Sequence, residues 1–327
     1  MRLLTVLLLA LSAQAEIQFA SLGSFRLDSG LTLHDCRIGY QTFGKLNDAK
    51  SNAVLFPTWF TGTSNDLRGN IGPGKLIDSD KYFVIAADAI GDGISTSPSN
   101  SKTQPHLRFP KFTTGDMVRS QYLLVTGTLH LKHLHAVMGI SMGGMQTFQW
   151  MVDYPDFFDK AIPIVGSPQL TTTDLLLWNA ELHAIEAAKP PRAGMRAVAD
   201  MHAFALTTPN YRATETTPAA AEKFMSENEQ NTPAHFAWDD WTRQLEAMIG
   251  HDIAKASNGS MESAAAKVKA KTLVIVGLQD HMVNPLPALS LARLLHCETL
   301  EIDSPCGHLT PGCDQTRVAA AIARFLQ

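Results

Sequence analysis

Along the chain, short apolar runs alternate with longer stretches in which apolar residues return every three or four positions. Ala53 to Phe56, Tyr82 to Ala87, His135 to Met138, Ala161 to Val165, Thr272 to Val276 and Glu298 to Ile302 are rich in Val, Ile, Leu or Phe. Each then gives way to Gly, Pro, Asp or Ser. Runs of that length, closed by turn formers, predict buried strands that end in loops. Asp116 to Leu129, Gly144 to Tyr154 and Leu286 to Leu295 carry helical spacing. Strand and helix in alternation predict a mostly parallel sheet covered by helices on both faces, because each parallel connection must cross over the sheet.

Between about Leu170 and Ala265 the strand pattern stops. Ala, Met, His and Trp recur there at helical spacing, with breaks at Pro190, Pro191, Pro209, Pro218 and Pro233. The strand pattern resumes at Lys271, so the sheet is interrupted rather than finished. The block reads as a helical insertion, residues 170–265, placed as a lid over the C-terminal edge of a core made of residues 16–169 and 266–327. At the N-terminus, Arg2, the apolar stretch Leu3 to Leu11 and Ala13-Gln14-Ala15 read as a signal peptide over residues 1–15, cleaved after Ala15. The apolar stretch falls short of the roughly 20 residues that cross a bilayer. The expectation is a secreted or periplasmic protein with no stable membrane insertion after processing.

The 327 residues are 45% hydrophobic and 18% charged, enough to bury a full core, and the formal charge is −4 with no basic run, which excludes a nucleic-acid partner. Cys36, Cys297, Cys306 and Cys313 lack the paired spacing of a zinc site, so no metal is expected. In an exported protein they allow three disulfide connectivities, and a bridge between Cys306 and Cys313 would tether a loop that carries His308.

Chemistry is concentrated at Gly139-Ile140-Ser141-Met142-Gly143, which follows a strand pattern and precedes a helical one. This is the layout of a nucleophile elbow, where a sharp turn from strand to helix exposes a serine and tolerates only small flanking residues. A serine hydroxyl needs a base, and the base needs an orienting acid, in the chain order Ser, Asp or Glu, His for this arrangement. Asp280 stands at the tip of the strand pattern Thr272 to Val276, and His308 follows the last strand pattern on a Gly-containing loop, where its rivals His281 and His296 do not. Ser141, Asp280 and His308 are therefore the predicted catalytic residues. Two backbone N–H groups should hold the developing oxyanion: Met142, just after the nucleophile, and Phe60, in the loop after the first parallel strand, with Trp59 and Thr61 as alternatives one residue away. Lid tryptophans Trp178, Trp238 and Trp241 read as packing before they read as an acyl pocket. Asn65, Asp66 and Arg68, and then Asp88, Asp92 and Ser95, are weaker candidates at the site edge.

With these residues in place, the chain resembles the homoserine O-acetyltransferase family of α/β hydrolases. The resemblance rests on Ile71-Gly72-Pro73-Gly74-Lys75 with Asp78 and Tyr82 to Ile85, on Asp116-Met117-Val118-Arg119, on Ser141 to Gln146 with Gln149-Trp150, and on Glu301 to Pro305 ahead of Gly307-His308. It covers nearly the whole chain after residue 15. It implies an α/β-hydrolase fold with an inserted helical lid that narrows the entrance, and an acyl-serine intermediate handed on in ping-pong fashion. Two departures bear on substrate. The family's transferases place an Asp directly after the catalytic His, against the amino group of homoserine, and here that position is Leu309. They also carry a lid arginine for the substrate carboxylate, where the segment 194–203 offers Ala199 or Asp200, with Arg192 and Arg196 nearby.

Losing the charged partner of a desolvated ligand group costs about 2–5 kcal/mol, enough to abolish recognition of an amino acid. Acetyl-CoA, moreover, is a cytosolic donor. The leading expectation is a secreted serine hydrolase of carboxylic esters with a small or medium acyl group that needs no cofactor. The alternatives are an O-acyltransferase of the same type with a different acceptor, and a non-catalytic binding protein on the same fold. A homodimer is left open.

Overall fold

The structure, a computed structural model, describes residues 16–327, so the expected signal peptide lies outside the described residues. Strands β1 (Gln18–Arg26), β2 (Thr32–Phe43), β3 (Ala53–Pro57), β4 (Phe83–Ala87), β5 (Leu134–Ile140), β6 (Phe158–Ile164), β7 (Lys271–Gly277) and β8 (Glu298–Ile302) form one sheet in the order β1-β2-β4-β3-β5-β6-β7-β8. From β4 to β8 every pair is parallel, whereas β2 runs antiparallel to both β1 and β4. Helices α1 (Ser64–Leu67), α2 (Thr114–Leu123) and α3 (Met142–Asp153) precede β6. Helices α4 (Thr172–Ala187), α5 (Met195–Leu206), α6 (Pro209–Glu215), α7 (Ala221–His235), α8 (Trp238–Ile249) and α9 (Met261–Ala265) lie between β6 and β7. The chain closes with α10 (Leu286–Leu295), α11 (Thr310–Cys313) and α12 (Gln315–Leu326).

The parallel strands are continuous apolar runs because both their faces are covered. Successive side chains point to opposite faces, so Val54 and Phe56 join Val84, Ala86 and Ile162 in one core cluster, which Val318 and Ile322 of α12 complete. Leu55, Ile85 and Val137 enter the other cluster with Met145 and Phe148 of α3 and with Trp178 and Trp241 of the helical block.

The hydrophobic pattern did not announce β1 and β2. β1, on the sheet edge, buries only Ala20 and Phe25 and bulges at Gly23, and in β2, between β1 and β4, Gly39 and Gln41 take buried places beside Ile38 and Tyr40, so neither reads as an apolar run. The expected helix from Asp116 to Leu129 is α2 followed by a π-type turn over Leu124–Thr128, in which Leu129 N–H donates to Leu124 O at 3.0 Å. The helix expected from Gly144 begins at Met142, at once after the elbow. Pro209 opens α6 and Pro218 opens a short 3-10 turn, where a missing N–H costs nothing. Pro233 does not break its helix: it sits inside α7, close enough to the C-terminal end that only the last turn loses a hydrogen bond.

Candidate active site

The elbow is built by close backbone approach. Ser141 separates β5 from α3 with φ 57° and ψ −119°, a left-handed conformation that a non-glycine residue adopts only under constraint. Ser141 N–H donates to Ile164 O at 2.8 Å and Ser141 O accepts from Met145 N–H at 3.0 Å, which holds the turn. A Cβ at position 139 would stand 2.2 Å from Gly143 O, and one at position 143 would stand 2.6 Å from Pro57 O. Only glycine fits at either place, so both flanking glycines of the motif follow from sterics.

Asp280 follows β7, with its side chain almost sealed from solvent. Its Oδ1 accepts from the N–H groups of Met282 and Val283, both at 2.9 Å. That leaves Oδ2 for His308 Nδ1 at 2.6 Å, and His308 Nε2 meets Ser141 Oγ at 2.8 Å. A carboxylate only accepts, so Nδ1 carries the proton and Nε2 is left to accept from the serine hydroxyl. The structure thus brings Ser141, His308 and Asp280 into one hydrogen-bonded line. The rivals lie elsewhere: His296 ends α10 in a left-handed conformation, and His281 is exposed.

His308 sits on a short turn, Gly307–Leu309, that is fixed from two sides. Cys306 and Cys313 are joined by a disulfide, and Cys36 and Cys297 are free. From the helical block, Thr208 donates to Pro305 O through its N–H (3.1 Å) and its hydroxyl (2.8 Å). Gly307, at φ +60°, lies under Leu206 O and Thr207, where a Cβ would come within 3.2 Å of both.

Met142 opens α3, where an amide has no intrahelical partner and the helix dipole favours negative charge. In the loop after β3, Gly62 N–H donates to Trp59 O (3.0 Å) and Thr61 N–H to Gln244 Oε1 (3.4 Å), which leaves Phe60 N–H outside both bonds. That favours Phe60 over Thr61 as the donor paired with Met142.

Ser141 opens into a cavity of about 660 Å³ that Phe60 and His308 also line. The helical block contributes Trp178, His202, Phe236, Trp241 and Met248, while Leu309, Pro311 and Cys313 form the wall beside the histidine. Trp178 and Trp241 are core residues and cavity residues at once, whereas Trp238 stacks on His106 away from the cavity. Arg192, Arg196, Ala199 and Asp200 do not line it, and Arg196 instead pairs with Glu229 at 2.8 Å.

The polar candidates near the site edge have structural work. Asp66 caps α1 through Thr63, and Arg68 and Asn65 both bond Gln41. Asp88 accepts from the N–H (2.5 Å) and hydroxyl (2.8 Å) of Ser64, and Asp92 accepts from the N–H groups of Ile94 and Ser95. Burial raises the Asp88 carboxyl above its ordinary value; burial and the nearby Asp88 charge push Asp92 well above it. These two brace the loops at Ser64 and at Ile94 and Ser95 and do not line the cavity.

One cavity group was not singled out from sequence: His202 on α5, whose Nδ1 lies 3.2 Å from the buried carboxylate of Glu181 on α4. The two are 21 positions apart on different helices, a spacing that carries no motif.

Comparison with known proteins agrees with this fold. Residues 52–311 match the family described as "alpha/beta hydrolase fold". An ethyl acetate hydrolase of Pseudomonas veronii is 30% identical over 320 residues, 89% of each chain. A probable esterase of Corynebacterium glutamicum is 37% identical over 177 residues, so that the match spans 53% of this chain and about half, 51%, of that protein. Among solved structures, a homoserine O-acetyltransferase from Bacillus anthracis superposes with a TM-score of 0.88 at 25% identity, over 96% of this chain and 98% of that one. Strand order, elbow and sequence relatives converge: the chain belongs to the α/β-hydrolase superfamily.

Proposed function

We propose that the protein is an exported serine hydrolase that cleaves small carboxylic esters through an acyl-serine intermediate. The observation that carries this is the relay of 2.8 Å from Ser141 Oγ to His308 Nε2 and 2.6 Å from His308 Nδ1 to Asp280 Oδ2. His308 removes the serine proton as the hydroxyl attacks the ester carbonyl, and the C–O bond to the alcohol breaks as His308 returns that proton to the leaving oxygen. Water then repeats the sequence on the acyl-serine and releases the acid. The amides of Phe60 and Met142 stabilise the oxyanion in both halves. Residues 170–265 act as the lid that shapes the entrance.

Hydrolysis is favoured over transfer to an amino acid by the wall beside His308. Leu309 and Pro311 line it with no carboxylate for an ammonium group, and none of the arginines near position 199 reaches the cavity. The relationship to an ethyl acetate hydrolase along 89% of both chains points the same way. Export is supported by the disulfide at Cys306 and Cys313, since such bonds persist in oxidising compartments. Transfer to another acceptor alcohol is the second reading, favoured by the close superposition on a homoserine O-acetyltransferase.

The test is an ester panel run beside acetyl-CoA with homoserine, with and without added alcohols, together with a fluorophosphonate probe. Release of free acid and labelling that Ser141→Ala abolishes are expected. Strong acetylation of homoserine reverses the reading from Leu309, and wild-type protein that stays unlabelled points to a binding protein without turnover.

A further inference from the structure

The part of the cavity wall that the helical block supplies holds a second pairing of imidazole and carboxylate. Glu181 is fully buried in α4 and accepts from two donors, His202 Nδ1 on α5 and Trp241 Nε1 on α8, each at 3.2 Å. A buried carboxylate is stable only when its oxygens are bonded, and these two bonds satisfy it while locking the imidazole. The ring also packs against Trp241 (centroids 4.9 Å apart) and Phe60 (5.8 Å), which touch each other. His202 therefore has a fixed orientation, a proton on Nδ1 facing Glu181, and an Nε2 with no hydrogen-bond partner among the described residues. Asn231, Thr232 and His235 of α7 line the same cavity, and α7 is pinned to α5 by Asn228 Nδ2 donating to Ala199 O at 2.7 Å.

A rigid, polar corner beside apolar wall residues such as Trp178, Phe236, Trp241 and Met248 is poorly matched to a purely alkyl ester. An unpaired nitrogen covered by a methylene loses its hydrogen bond to water and gains none. Resting on the ester-hydrolase reading, we propose that His202, positioned by Glu181, forms a subsite for a hydroxyl group on the substrate away from the reacting carbonyl. The preferred substrates are then esters of hydroxy acids or monoesters of small polyols. A hydroxyl is the group that suits the site because it both donates and accepts, so it pairs with Nε2 whether or not that nitrogen carries a proton.

The test is equilibrium binding by calorimetry to the Ser141→Ala protein, which requires no turnover, using ester pairs that differ by hydroxyl for methyl. One pair is 2-hydroxyethyl acetate against propyl acetate, and the other is ethyl 3-hydroxybutyrate against ethyl 3-methylbutyrate. The quantity read is the affinity ratio within each pair. A roughly tenfold preference for the hydroxylated member of at least one pair is expected, lost when His202→Phe is added. A further protein carrying His202→Phe with Glu181→Gln removes the carboxylate that the single change leaves unpaired, and it should lose the preference too. A ratio near one in both pairs, or a preference that survives both variants, overturns the subsite and shows that Glu181 and His202 only knit the helical block together. If the preference is present but the wild type cleaves none of the four esters, the hydrolase reading fails and the subsite stands.

Discussion

Cys306 and Cys313 are joined across a span of seven positions that encloses His308, so the proposed base sits inside a covalently closed loop. Closing so short a loop stabilises a fold by about 2–3 kcal/mol through the unfolded chain. Replacing both cysteines by Ala should lower the melting temperature and also kcat, because the imidazole loses its restraint toward Ser141. The check is thermal denaturation and ester turnover with and without reductant. Wild type under reductant should converge on the variant, and a kcat unaffected by either treatment would show that Thr208 and Gly307 suffice to hold the loop.

Asp280→Asn separates orientation from folding. The amide oxygen can still accept from the N–H groups of Met282 and Val283, so the loop should keep its shape. The other side-chain atom becomes an N–H donor facing His308 Nδ1 and forces the wrong tautomer. A fall in kcat of about 10⁴-fold with little change in melting temperature is expected. A fall below tenfold in turnover assays would mean that His308 does not rely on this carboxylate.

Leu309→Asp places a carboxylate in the cavity wall one residue after His308, where an incoming ammonium group can meet it. With an acetyl ester as donor and homoserine as acceptor, the ratio of O-acetylhomoserine to free acetate should rise above that of wild type. An unchanged ratio would assign acceptor choice to the helical block instead.

Burial pushes the Asp240 carboxyl up from 3.8 to about 7, against hydrogen bonds from Ser99 that pull it down. Between those values the folded protein keeps a proton that the unfolded chain has released. This residue's contribution therefore makes stability fall as pH rises from about 4 through about 7 and level off above. Asp240→Asn removes that component, so urea midpoints measured near pH 5 and near pH 8 should show the variant gaining on wild type at the higher pH. A wild-type-minus-variant difference that is flat across the window would sink the assignment.

How far the site was legible depends on how local each signal is. Gly139, Ser141 and Gly143 form a motif because one turn imposes all its steric limits within five residues, and Asp280 and His308 each follow a strand that its own apolar run announces. The edge strand β1 and its neighbour β2 gave a weaker pattern, since β1 buries only Ala20 and Phe25 and β2 fills buried places with Gly39 and Gln41.

The sequence by itself determined the parallel core, the helical block between Ile164 and Lys271, and the elbow, because periodicity and backbone sterics act between near neighbours in the chain. Only the tertiary structure decided that Ser141, His308 and Asp280 share one line of hydrogen bonds, that Cys306 pairs with Cys313, and that Glu181 turns His202 to face Trp241 and the cavity. Those contacts join residues on separate elements, and their geometry exists only once the packing of sheet and helices fixes distances that chain spacing leaves free.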